Sequence, residues 1–153
     1  MLLWIEAVTD RSQSDIYRVL ELLEKGWKNF TDSEKREWYA GMKGTLNTSD
    51  LIRIQNNIQL LSDVLELNLT VSDVPEIPTV TLFGEIRENT GKIRSAYCIH
   101  STTPTVPEEP VNTFEKWNDI EKILSDAYEI LLNNFHYYCG TEIYAGESSG
   151  LLL

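Results

Sequence analysis

A chain of 153 residues with 42% hydrophobic content, four Trp and seven Tyr can bury a core, which excludes a disordered chain. Its 24 acidic against 13 basic residues give a net charge of −11, and the bases are spread thinly (Arg11, Arg18, Lys25, Lys28, Lys35, Arg36 and Lys43 early, none after Lys122), which argues against a nucleic-acid partner. No run approaches the ~20 apolar residues that span a bilayer, and the N-terminal MLLWIEAVTD is too short for a signal peptide, so the chain reads as folded in a cytoplasm without membrane insertion.

The first residues, Leu2 to Val8, are apolar and favour an extended segment or strand. Four helix starts then use one device, a side-chain oxygen followed three residues later by an acid: Ser12 with Asp15, Thr31 with Glu34, Asn47 with Asp50, and Asn112 with Glu115. Each precedes apolar residues at helical spacing. The first helix presents Ile16, Val19, Leu20, Leu23 and Trp27 on one face, and the second, about 32–40, turns Trp38 inward. Gly41 and Gly44 mark the turn that follows. The third helix, about 47–65, carries Leu51, Ile54, Ile58, Leu61 and Leu65 as its stripe.

Leu65, Leu67, Leu69 and Val71 then alternate with polar residues, the period of a half-buried strand, and Pro75 and Pro78 interrupt the chain. A further helix over about 79–98 fits Leu82, Phe83, Ile86, Ile93 and Tyr97. Gly84 and Gly91 each cost about 1 kcal/mol there; with Ser95 they form a small-residue stripe, either tolerated by packing or used for close helix–helix approach. Pro104, Pro107 and Pro110 make an extended loop before the last helix, about 22 residues bearing Phe114, Trp117, Ile120, Leu124 and Leu131. From Phe135 to Ala145 the composition favours a strand that wants burial on both faces. ESSG and three leucines end the sequence. The ends either pair with each other over the helices or are completed by another chain.

The expected fold class is therefore mainly α: a small helical domain of about five helices with short β or extended segments at the termini. Residues 1–146 form the domain and 147–153 a flexible tail.

Catalytic patterns do not emerge. His100 and His136 lack partners at ligand spacing, and HExxH, CxxC, GxSxG, Walker and GxGxxG motifs are missing from the sequence. Cys98 and Cys139 read as buried thiols, with a disulfide as the alternative. Glu108 and Glu109 read as solvated charges. No enzyme activity, cofactor or metal is expected. Trp27, Trp38 and Trp117 fall on apolar helix faces, whereas Trp4 is the candidate interface anchor.

Two runs carry a resemblance. Thr9, Asp10, Arg11, Asp15 and Arg18 match a TDR-x-x-x-D-x-x-R stretch, and Trp38, Gly41, Lys43, Gly44, Asn47, Asp50, Leu51, Arg53 and Ile54 match W-x-x-G-x-K-G-x-x-N-x-x-D-L-x-R-I. Together they resemble minor structural, tail-associated proteins of phages and prophages of Gram-positive bacteria. The RENTGKIRSAY run, Trp117 to Leu124, and the closing EIYAGE are similar to the same proteins. The resemblance implies a virion structural protein of tail, baseplate or fibre, assembled in the bacterial cytoplasm, with other virion proteins and itself as partners. A carbohydrate-binding module that recognises a host-surface glycan is the alternative. Leu3, Trp4, Ile5, Tyr137, Tyr138, Ile143, Tyr144, Leu151, Leu152 and Leu153 are the candidate contact residues. Asp10, Arg11, Asp15, Arg18, Asp50 and Arg53 are expected to form a charge network tying the first helix to the third.

Overall fold

A computed structural model of the chain describes residues 2–96 and 99–140, with side chains described through residue 133. The described residues form five α-helices: α1 (Gln13–Lys25), α2 (Asp32–Tyr39), α3 (Thr48–Val64), α4 (Val80–Ala96) and α5 (Phe114–Gly140), with a 3₁₀ turn at Trp27–Asn29 after α1. The protein is a mainly α, small helical fold.

The main core lies where α3, α4 and α5 pack against one another. Leu51, Ile54, Ile58 and Leu61 of α3 meet Leu82, Ile86 and Ile93 of α4 and Trp117, Ile120, Leu124 and Ala127 of α5. Each is an apolar side chain repeating at helical spacing, and full burial of a Leu or Ile contributes about 1.5–3 kcal/mol. A smaller cluster of Val19, Leu22, Phe30 and Met42, with Trp38 against it, holds α1, the 3₁₀ turn and α2.

Three helix starts form as the capping pattern implies. The Asp15, Glu34 and Asp50 carboxylates accept from the backbone N–H of Ser12, Thr31 and Asn47 at 2.8, 2.7 and 2.8 Å. The fourth is shifted by one residue: Thr113, not Asn112, stands before α5 and accepts from the Lys116 N–H, so Glu115 has no reciprocal capping role.

Several expectations are corrected. Val19 is buried as expected, but Leu20, Leu23 and Trp27 are exposed, because Leu22 completes the buried face of α1 in their place. Residues 65–71 do bury alternate side chains, yet they form no strand. Glu66 and Asn68 adopt left-handed backbone, and the Leu67 and Leu69 N–H groups donate to the Ser62 carbonyl and hydroxyl. A side chain of α4 completes this anchoring, with Asn89 donating to the Thr70 carbonyl. The small stripe of α4 faces the proline-rich segment and not another helix. Cβ atoms at Gly84 and Gly91 would lie 3.7 Å from Glu109 and 3.6 Å from Val106. Arg87 and Arg94 donate to the Pro107 and Pro104 carbonyls on the same side. Finally, Phe135 to Gly140, expected as strand, continue α5, so the last helix runs 27 residues. Helical backbone bonding satisfies that stretch without any strand partner. Among the described residues the two ends do not pair as a ribbon.

Candidate interaction surfaces

The N-terminal segment is held by side chains that replace a neighbouring strand. Asn57 of α3, itself buried, accepts from the Ile5 N–H at 3.0 Å and donates to the Ile5 carbonyl at 2.7 Å. Asn56 donates to the Leu3 carbonyl, and Asn118 of α5 makes the same two-way contact with the backbone of Arg11. An amide side chain carries one acceptor and two donors, so it can satisfy an extended residue as a strand would.

Beneath the segment lies a buried charge network. Glu121, only 1% exposed, uses both oxygens twice. Its Oε1 accepts from Arg11 Nη2 and Arg53 Nη2, both at 2.7 Å. Its Oε2 accepts from Arg53 Nε at 3.0 Å and the Val8 N–H at 2.8 Å. Asp50 completes the set, 2.8 Å from Arg53 and 3.4 Å from Arg11. Burial pushes the Asp50 carboxyl up, but the Asn47 N–H and the Arg53 guanidinium outweigh it and leave it below its ordinary range. Two carboxylates against two guanidiniums leave no net charge inside.

Only part of the charge network expected from sequence is present. Arg11, Asp50 and Arg53 come together, tying the N-terminal segment to α3 and α5. Asp10 instead pairs with Lys43, Asp15 caps α1, and Arg18 pairs with Glu21 and Glu37. The sequence reading missed Glu121. Its signal was a charge on the face shared by Trp117 and Leu124, where an unpaired acid would be costly. Gly44 is also explained: a Cβ there would lie 2.2 Å from the Asp15 carbonyl oxygen, so the turn after α2 touches the start of α1 backbone to backbone.

Of the candidate contact residues, Trp4 turns inward and stacks on Tyr128, with ring centroids 4.3 Å apart and 6° between planes. Leu3, 70% exposed, and Ile5 remain on the outside. Tyr137 and Tyr138 belong to the last turn of α5, with side chains outside the described set. Ile143, Tyr144, Leu151, Leu152 and Leu153 lie outside the described residues, as does Cys98; the Cys139 side chain does too.

Two further apolar surfaces appear. On α1 and its neighbours, Tyr17, Leu20, Leu23, Trp27 and Tyr39 are exposed, with Tyr39 at 79%. Trp27 and Tyr39 meet edge to face at 5.4 Å. Elsewhere, a groove of about 980 Å³ lies between α4 and the segment leading into α5. Leu46, Pro78, Val80, Phe83, Pro110, Val111 and Trp117 supply its apolar lining, and Glu109 is its only charged group among the described residues. Near the start of α5, burial and the charge of Glu115 raise the Asp119 carboxyl.

Among the described residues no group of three or more His, Cys, Asp or Glu is placed to hold a metal ion. No described helix is long and apolar enough to cross a membrane. The chain matches no protein-family model, and comparison with curated proteins and with solved structures yields no significant match.

Proposed function

We propose that the chain is a structural subunit of a phage virion, part of a tail, baseplate or fibre, that works through protein–protein contacts. The observation that carries this reading is the exposed apolar surface of α1 and its neighbours, where Leu20 and Leu23 stand 47% and 57% exposed one helical turn apart. Large side chains clustered on a surface favour association with a partner. The sequence resemblance supplies the virion as the setting, with assembly in the host cytoplasm and with other virion proteins and a second copy of the chain as partners.

The test is to disrupt the coding sequence in the parent phage or prophage, then image particles by electron microscopy and search purified virions for the chain by mass spectrometry. The chain is expected in the particle, with defective tails when it is missing. A Leu20→Glu, Leu23→Glu double variant should fold yet fail to incorporate. Normal virions that lack the protein would sink the reading.

Trp27 with Tyr39 favours the second reading, a host-surface glycan module, because exposed aromatic rings are what sugars stack on. Quenching of tryptophan fluorescence by cell-wall polysaccharide, lost in Trp27→Ala, would support it over the first.

A further inference from the structure

Resting on the reading of the chain as a protein-binding subunit, we propose that the groove between α4 and the segment before α5 is a docking site. Its occupant is a short stretch of a neighbouring protein that carries an aliphatic or aromatic anchor beside a lysine or arginine. The lining explains the anchor. Phe83 and Trp117 meet edge to face at 5.2 Å to form the floor, with Leu46 and Val111 beside them. Val80, 82% exposed, and Ile77 next to Pro78 leave apolar surface at the lip. A large side chain entering there removes this surface from water.

Charge complementarity supplies the basic residue. Glu109 lines the groove and makes no ion pair among the described residues, and the same holds for Glu108 and Glu115 nearby in sequence. Lys116, which could have neutralised Glu109, instead donates to the Pro110 carbonyl at 2.7 Å. Glu109 is therefore left without an ion pair among the described residues, on a chain whose net charge is −11. A second copy would bring the same acids and be repelled, whereas a basic segment is attracted.

The test is selection of short random displayed peptides on the full chain, followed by fluorescence-anisotropy titration of the recovered peptides against two variants. Gly84→Leu fills the groove. Its Cβ enters at ordinary contact distance, 3.7 Å from Glu109, and leucine suits a helix better than glycine. Glu109→Lys reverses the wall charge at an exposed position. The recovered peptides are expected to combine Lys or Arg with an aromatic or aliphatic residue. Each variant should weaken binding by about tenfold or more, and salt should weaken binding to the wild type. If Gly84→Leu does not fold, Glu109→Lys decides alone. Recovery of no binder, recovery of neutral or acidic peptides, or affinities unchanged in the folded variants would overturn the proposal. So would a dimer in sedimentation that Gly84→Leu abolishes, because the occupant would then be a second copy. Presence of the chain in virions without groove binding would sink this inference alone; groove binding by a chain missing from virions would sink the virion reading alone.

Discussion

Arg11 and Glu121 are joined by a 2.7 Å contact between Nη2 and Oε1 across 110 positions of sequence, and both are buried. The pair fastens a segment without regular structure to the third turn of α5, the longest described helix. Arg53 donates to both oxygens of the same carboxylate and shares Oε1 with Arg11, so the three residues act as one unit.

Replacing Glu121 by alanine is expected to destabilise the fold by about 3–5 kcal/mol, because two guanidinium groups lose their shared counter-charge inside the protein. Urea denaturation measures it. Lys92→Ala, which breaks the exposed Lys92–Glu88 pair, should leave the midpoint unchanged. Equal effects of the two substitutions would refute the burial argument.

Glycines separate into two kinds. Gly44→Ala should lower stability by about 1–3 kcal/mol, since its Cβ would overlap backbone of α1 that cannot turn aside. Gly91→Ala should raise stability by about 0.5–1 kcal/mol, because its Cβ meets Val106 at 3.6 Å and alanine favours the helix. Thermal melts of the two variants should shift in opposite directions.

Acid should weaken the fold through its depressed carboxylates. The folded-state pKa of Asp50 lies below its ordinary 3.8, so its contribution is complete above that value and is lost as pH falls through the lower one. Glu34, lowered from 4.5 to about 2 by the Lys25 ammonium and then the Thr31 N–H, has the same sign. Urea midpoints should therefore be flat above about pH 5 and fall steadily below pH 4. Asp50→Asn should flatten part of that fall; an unchanged slope would show that Asp50 does not sense folding.

Release of the N-terminal segment should be separable from loss of the core. Trp4→Ala removes a stacked pair worth about 0.5–1.5 kcal/mol beyond its buried area. Asn57→Ala removes both bonds to Ile5. Amide hydrogen exchange should accelerate at Ile5 and Val8 in both variants, while amides in the middle of α3 keep most of their protection. Uniform acceleration throughout α3 and α5 would mean that the segment is part of one cooperative core.

Much of this fold was written in local pattern. The stripe Leu51, Ile54, Ile58 and Leu61 and the Thr31–Glu34 capping pair depend on residues three or four apart, a distance at which helix geometry alone decides the contact. The role of Arg11 was half legible, since its charge signalled a pair but not that Glu121 was the partner. Other features had no local signature. Whether Leu20 and Leu23 or Leu22 faced inward depended on where α1 meets Phe30 and Met42. The alternation over residues 65–71 correctly marked which side chains are covered, but a strand also needs a partner, and the side chains of Ser62 and Asn89 took that role. The aromatic run after Leu131 suits a strand or a helix, and continuation of α5 chose helix for at least its first residues. Sequence by itself determined the helices whose stabilising contacts lie within one or two turns. Tertiary structure alone decided the faces, the Glu121 junction and the apolar groove, because each arises from residues far apart in the chain whose energies exist only after the helices have met.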